Sequence, residues 1–471
     1  MRRRAVAPTG DMSRGRPGVA AGTASVAVTL ASGAVLALCF PPTDAPWPLM
    51  IIAVALWLDR VHGRSGSTAA LHTIAFGLGF QLVLLRWVSV IGTDAWIALA
   101  CVESAFLLPL GLLAARVRDR LWLVPLIALG IPAVDWARDH AGAFAFGWGQ
   151  LAFASVDAPW ARLAPSAGQW VVTGVVAGTG AALAAALRGG IGSRCVAAGG
   201  GLLLLTLPTL VPIDASSSWS ARTIALVQGG ADHTGVGVQD RRAVLRRHAA
   251  LTTEHLAGTT AALVVWPENA VDVDPVRDPV ARDLLLGASE RIGRPLLVGA
   301  LVDMPEGRTN ATVRISGGVI ETTYVKQRLV PFGEYLPLRS LFTRLFERAT
   351  LIPVDFVAGS ASGSVDAAGT RVGLLICFEV ADDALARAAV AGDTAALLIQ
   401  TNNATYAGTG QGAQQLRIAQ FRALELDRPV YVVSTTGPSA VIAPNGRIVQ
   451  AMVDGAVGTL IAPLPAHRVS A

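Results

Sequence analysis

The sequence predicts an α-helical polytopic membrane domain followed by an α/β domain, and three observations carry that reading. Hydrophobic residues make up 52% of the 471 and charged residues only 15%, with a mean hydropathy of +0.51, too apolar for an ordinary soluble chain. Charge is sparse over residues 21–213 and reaches ordinary density over 214–471, so two regimes share one chain. The second regime alternates Val-, Ile- and Leu-rich runs with helical patterns, the order of a layered α/β domain.

In the first regime, apolar stretches run over 21–40, 45–58, 65–85, 95–115, 121–134, 163–187 and 195–213. A crossing helix needs about 20 residues, so 45–58 and 121–134 are short and read alone as re-entrant or buried. With all seven crossing and the N-terminus inside, the inner segments hold twelve arginines (at 2, 3, 4, 14, 16, 60, 64, 116, 118, 120, 188 and 194) and the outer loops three, Arg86, Arg138 and Arg162. That bias fits the positive-inside rule and places everything after residue 213 outside the cytoplasm. Six further hydrophobic segments and the lack of a small-residue cleavage pattern argue against a cleaved signal peptide at 21–40. The domains are therefore a cytoplasmic Arg-rich tail at 1–20, a membrane domain of about seven helices at 21–213, and an extracytoplasmic domain at 220–465. Glu103 lies within a candidate span, where an ionised carboxylate is expensive, and reads either as a polar contact to substrate or partner or, in the favoured reading, as a carboxyl paired within the bundle or lying near an interface.

Strands are predicted over 223–228, 262–268, 295–302, 319–326, 372–379, 396–403 and 430–436, with helices near 240–257, 279–291, 381–391 and 414–427. The net charge of +5 is scattered, without a basic stripe interleaved with aromatics, which speaks against nucleic acid. Cys39, Cys101, Cys195 and Cys377 have no C-x-x-C spacing, and three lie in apolar runs, so neither a zinc site nor a disulfide framework is supported.

Three polar residues close apolar strands: Glu268, Lys326 and Cys377. Lys326 is the single lysine beside 37 arginines, at a position where a compact ammonium differs chemically from a planar guanidinium. A cysteine nucleophile needs a base for its proton and positive charge for the oxyanion that follows, which Glu268 and Lys326 can supply. Of the seven histidines none lies in a strand-end motif, so a Cys-His pair is unsupported.

The segment from Tyr324 to Pro337 (YVKQRLVPFGEYLP) closely resembles the lysine segment of apolipoprotein N-acyltransferases, membrane members of the nitrilase superfamily. Val265-Trp266-Pro267-Glu268-Asn269 is similar to their base motif and Leu375-Ile376-Cys377-Phe378-Glu379 to their nucleophile motif. Thr401-Asn402-Asn403, Arg422-Ala423-Leu424-Glu425 and Ser434-Thr435-Thr436-Gly437 also resemble family segments, and the order of spans followed by this domain covers nearly the whole chain. The resemblance implies a nitrilase-like α-β-β-α sandwich with Glu268 as general base, Lys326 as oxyanion stabiliser and Cys377 as acyl-accepting nucleophile. Glu334 and Glu379 match further acidic residues, and both are expected to orient Lys326.

It further implies transfer of a fatty acyl chain from a phospholipid, through a cysteine thioester, to the N-terminal amine of a diacylglyceryl-modified apolipoprotein. The expected setting is the bacterial cytoplasmic membrane, with a monomeric enzyme and no metal or organic cofactor. A membrane-tethered amidase using the same residues and an inactive nitrilase-like scaffold are the alternatives. The sequence departs from the family at Phe378, where tyrosine is usual, after Gln228-Gly229, where a tryptophan is often found, and beyond Leu460-Ile461-Ala462-Pro463, where an eighth helix usually follows. Finally, Leu338, Leu341, Phe342, Leu345 and Phe346 recur at helical spacing, one apolar face that either packs on its own domain or forms a lid at the bilayer surface.

Overall fold

The structure is a computed structural model that describes residues 19–212, 219–231, 241–345 and 354–466. The first part consists of helices α1 (Val19–Leu38), α2 (Pro48–Val61), α3 (Gly66–Leu84), α4 (Thr93–Ala105), α5 (Leu108–Arg116), α6 (Leu123–Asp139), α7 (Ala164–Arg188) and α8 (Ile191–Thr206). Each predicted apolar stretch is helical, and α4 with α5 forms one 24-residue apolar segment broken only at Phe106-Leu107. Among the described residues, five segments are long and apolar enough to cross a membrane: Gly66–Leu84, Thr93–Arg116, Arg120–Asp139, Pro159–Arg188 and Ile191–Leu210.

The stretch at 121–134, short by composition, belongs to the 20-residue segment Arg120–Asp139. The helix continues past its apolar run because its polar residues find partners inside the bundle. Arg138 Nε donates to Glu103 Oε2 at 2.5 Å and Arg138 Nη1 to Asp135 Oδ1 at 2.9 Å, so the Glu103 carboxylate has the internal partner its position demands. Arg138, counted as an outer-loop arginine by sequence, is thus a bundle residue. The ends of the bundle are sorted. Asp59 at the close of α2 pairs with Arg188 at the close of α7 (3.2 Å) and with Arg120 (3.5 Å), gathering three arginine-bearing segments at one end. The segments at 41–44, 84–87 and 139–157 meet the second domain at the other end, through bonds from Gln414, Arg417 and Arg328.

The second domain runs β1 (Trp219–Gln228), α9 (Arg241–His255), β2 (Leu263–Val265), α10 (Pro279–Ile292), β3 (Leu296–Met304), β4 (Gly307–Ser316), β5 (Val319–Val325), α11 (Arg339–Leu345), β6 (Gly363–Asp366), β7 (Arg371–Ile376), α12 (Asp383–Ala389), β8 (Ala396–Thr401), α13 (Gln411–Leu426), β9 (Val430–Ser434), β10 (Ala440–Ile442), β11 (Ile448–Ala451) and β12 (Gly458–Pro465). Local chemistry sets the boundaries, as at α10, where Asp278 caps Ala281 N at 2.9 Å, Pro279 opens the first turn and Gly293 closes it left-handed at φ 62°.

Two six-stranded sheets result, ordered β12-β1-β2-β3-β4-β5 and β11-β10-β9-β8-β7-β6. The crossovers through α9, α10, α12 and α13 leave β1, β2 and β3 parallel, and likewise β7, β8 and β9. The sheets pack face to face through Leu226, Val265, Leu374, Ile376, Leu398 and Val433, while α9 and α10 cover the outer face of the first sheet. On the outer face of the second sheet, Leu375, Leu397, Ile399 and Val432 join α13 and the helical domain in one continuous apolar cluster. The architecture is the expected α-β-β-α sandwich on a helical bundle.

Strands β4, β6, β10, β11 and β12 escaped the sequence reading. β10 and β11 are three and four residues long, and β4 carries Arg308, Asn310, Thr312 and Arg314 between its apolar positions. Of the apolar face at 338–346, α11 covers Arg339–Leu345, while the side chains of Leu341, Phe342 and Leu345 and all of Phe346 lie outside the described residues.

Candidate active site

Glu268, Lys326 and Cys377 all follow directly on strand ends, one to three residues beyond β2, β5 and β7. The pleat delivers the chain to the rim of the sandwich, and the last strand residue holds each side chain rigidly. Glu268 sits on a tight turn whose close approach to β3 requires glycine opposite, since a Cβ on Gly299 would lie 2.4 Å from Pro267 O and 2.5 Å from Glu268 Cα. Cys377 takes φ +52°, a left-handed backbone that costs a non-glycine residue about 1 kcal/mol or more, and opens a 3-10 turn directly after β7.

The structure brings Lys326, Glu268 and Glu334 into contact. Lys326 is 1% exposed, and its Nζ donates to Glu268 Oε1 at 3.1 Å and to Glu334 Oε1 at 2.9 Å. Burial pulls the ammonium toward its neutral form, but the two carboxylates outweigh it and hold the pKa well above the ordinary lysine value. Glu268 Oε2 accepts from Asn402 N at 2.8 Å, and Glu334 Oε2 from Val330 N at 2.8 Å, so both carboxylates are anchored on the side away from the lysine.

The Cys377 thiol is half-buried, and burial together with the Glu268 charge pushes it up to about 12, against the opposing pull of Lys326. At neutral pH it is a thiol, and use of this sulfur as a nucleophile would require loss of that proton. Gln415 Nε2 faces the sulfur at 3.5 Å, and this amide cannot be reversed, because its Oε1 already accepts from Thr401 Oγ1 at 2.9 Å and Asn403 Nδ2 at 2.7 Å.

Glu379 differs from the expectation. It works from the backbone side, accepting from Gln327 N (2.6 Å), Arg328 N (3.0 Å), Ile376 N (2.7 Å) and Tyr324 Oη (2.9 Å). It therefore ties the chain just after Lys326 to the chain just before Cys377, whereas Glu334 alone of the two accepts from the ammonium in a direct hydrogen bond. Phe378, without a hydroxyl, stacks on Phe146 (5.4 Å, 23°) and Trp148 (6.0 Å, 6°) of the helical domain.

Asn310 was missed with its strand. Its Nδ2 donates to Glu268 Oε1 at 2.7 Å and Glu334 Oε1 at 2.9 Å, while its carbonyl accepts from Lys326 N at 2.9 Å. The alternation Thr309, Ala311, Val313, Ile315 was the signal for β4, but no local pattern says that Asn310 reaches two carboxylates. Arg328 stands in the sequence only as one residue of the lysine segment, yet its guanidinium clamps Asp382 Oδ2 (2.6 Å) and Asp139 Oδ1 (2.8 Å), one in each domain.

The profile of the apolipoprotein N-acyltransferase N-terminal domain matches residues 32–182, and that of the carbon-nitrogen hydrolases residues 223–471. An apolipoprotein N-acyltransferase from Mycolicibacterium smegmatis is 33% identical, with 92% of this chain and 79% of the relative covered. One from Pseudomonas syringae pv. tomato is 30% identical, with 89% and 87% covered. A CN-hydrolase superfamily protein from Xanthomonas campestris matches with a TM-score of 0.41 at 18% identity over 52% of this chain and 91% of that one. With both profiles in the expected order and relatives aligned over about nine-tenths of its length, the chain belongs to the apolipoprotein N-acyltransferase family.

Proposed function

We propose that this protein moves a fatty acyl chain from a phospholipid, through a thioester on Cys377, to the N-terminal amino group of the diacylglyceryl-cysteine of bacterial lipoproteins. The observation that carries the chemistry is the buried Lys326 ammonium held between Glu268 and Glu334, in a site whose thiol feels the charge of both Glu268 and Lys326. The relatives named as apolipoprotein N-acyltransferases supply the substrate class.

In the first half-reaction, Glu268 takes the thiol proton as sulfur attacks the ester carbonyl. The oxyanion is stabilised by Lys326, whose charge is fixed and needs no reorganisation. As the tetrahedral centre collapses, the C–O bond breaks, and the lysophospholipid alkoxide leaves with the proton held by Glu268. In the second, the acceptor's α-amine attacks the thioester, Glu268 accepts its proton, the C–S bond breaks and the thiolate is reprotonated. Two half-reactions with one base and one cation are the logic of covalent catalysis. Phe378, the residue after Cys377, stacks on Phe146 and Trp148 where the sandwich meets the apolar helices, which supports a reading with substrates anchored in the bilayer.

The α/β domain sits on the bundle end opposite Asp59, Arg120 and Arg188, which supports an extracytoplasmic site under the positive-inside rule. Mass spectrometry of lipoprotein N-termini from cells with and without this protein tests the reading. Triacylated N-termini should become diacylated with a free amine when it is removed. Unchanged triacylation, with loss of a small-amide hydrolysis instead, would transfer the activity to an amidase.

A further inference from the structure

Helix α13 has two working faces. Gln414, Arg417, Phe421 and Glu425 form one stripe that rests on the helical domain. Arg417 bonds Asp157 at 2.7 Å and Asp44 at 2.9 Å, Phe421 meets Phe153 with centroids 5.8 Å apart, and Glu425 Oε1 accepts from Gln169 N at 2.8 Å. The neighbouring face carries Gln415, whose amide is aimed at the Cys377 sulfur. The helix thus stands between the bundle and the nucleophile, and successive glutamines belong to different sides of it.

Gln414 is buried and uses the whole capacity of its amide, two N–H donors and two acceptor lone pairs. Its Nε2 donates to Pro41 O at 3.0 Å and Leu84 O at 3.1 Å, and its Oε1 accepts from Trp87 Nε1 at 3.2 Å and Trp148 Nε1 at 2.8 Å. Four bonds from one side chain join α13 to three separate segments of the helical domain. Two routes lead from there to the thiol. One is the helix backbone to Gln415 and the sulfur, and the other is Trp148, whose ring lies nearly parallel to Phe378 (6°), the residue after Cys377. A fully satisfied buried polar network has few alternative arrangements, so it transmits position.

We propose that Gln414 is a positioning residue through which seating of the helical domain sets the Cys377 thiol, by way of Gln415 on the sulfur side and Trp148 with Phe378 on the backbone side. The sandwich alone does not fix the nucleophile; the bundle completes it. This rests on reading Cys377 as the acyl acceptor, and the test separates the two.

The full chain in phospholipid nanodiscs is alkylated with iodoacetamide across a pH series, and Cys377 modification is read by mass spectrometry. Gln415 donates to the sulfur and favours the thiolate, so Gln415→Leu moves the profile to higher pH and slows alkylation at any fixed pH below the midpoint. Gln414→Leu produces the same displacement without touching the sulfur, and the double variant adds nothing further, as expected for residues acting in series. Arg417→Leu, which removes ion pairs from the same interface, keeps the wild-type profile. Should Gln414→Leu fail to fold, Trp87→Phe removes one donor to Gln414 and gives a smaller shift of the same sign. A wild-type profile in Gln414→Leu or Trp87→Phe, or additive shifts in the double variant, overturns the proposal. Absence of a Cys377 acyl-enzyme in wild-type protein given labelled phospholipid would instead overturn the functional reading, and the alkylation result stands apart from it.

Discussion

The buried Lys326 Nζ lies 2.9 Å from Glu334 Oε1, the carboxylate that shares the ammonium with Glu268. Lys326→Arg keeps the charge but brings a planar fork into space shaped for an ammonium already contacting two carboxylates. Acyl-enzyme formation from phospholipid should fall by about 10²-fold or more, the scale of losing one oxyanion stabiliser. Turnover within a few-fold of wild type would mean that the ammonium is structural.

Glu268→Gln should separate the thiol's acidity from catalysis. The Glu268 charge helps hold the Cys377 thiol up near 12, and Lys326 opposes it, so neutralising Glu268 lowers the thiol pKa and leaves more thiolate at a given pH below 12. The variant should lose acyl transfer for want of a base, yet react faster than wild type with iodoacetamide at pH 8. Slower alkylation would show that Glu268 activates the thiol even without a carbonyl substrate.

Gly299→Ala places a methyl group against Pro267 O and Glu268 Cα, backbone atoms with little freedom to yield. The Glu268 turn should shift, and because a misplacement of about 1 Å can cost about 10²-fold, kcat should drop steeply while phospholipid KM changes little. An equal rise in KM would locate the damage in substrate binding.

Cys377→Gly and Cys377→Ala both remove the thiol, but only glycine accepts φ +52° without strain. At one scan rate the glycine variant should show the higher thermal midpoint, by an amount equivalent to about 1 kcal/mol. Equal midpoints would show that the left-handed turn stores no strain.

A reporter active only outside the cytoplasm should work when fused after Ala471 if the sandwich lies on the bundle end away from Asp59 and Arg188. Activity of a cytoplasm-only reporter there would reverse the orientation.

The sequence made the strand-end chemistry legible because chemistry of that kind is local: an apolar run, a turn signal and one polar residue identify Glu268, Lys326 and Cys377. The lone lysine among arginines sharpened the reading. Glu334, expected to orient Lys326, lies within hydrogen-bond reach of the ammonium eight residues along the chain, a separation short enough for one motif to span. Glu379 was read as a partner of the amine, but its bonds to Gln327 N and Ile376 N depend on two sheets meeting, which no window of sequence displays. Asn310, Gln414 and Arg328 escaped for the same reason. The partners of their side chains lie 24 to 373 residues away, and a surface-like Asn, Gln or Arg carries no periodic signal until tertiary contacts bury it. Arg138 was miscounted as a loop residue because Glu103 and Asp135, which let it enter the bundle, are charges too.

In the proposed reaction Cys377 carries the acyl chain between two lipid substrates. Purified protein in vesicles, given a phospholipid with an isotopically labelled acyl chain, should yield a hydroxylamine-labile acyl adduct on the Cys377 peptide by mass spectrometry. Adding a diacylglyceryl-cysteinyl peptide should discharge the label onto that peptide's α-amino group. Label on a residue other than Cys377, or release as free fatty acid at a rate indifferent to the peptide, would contradict the account.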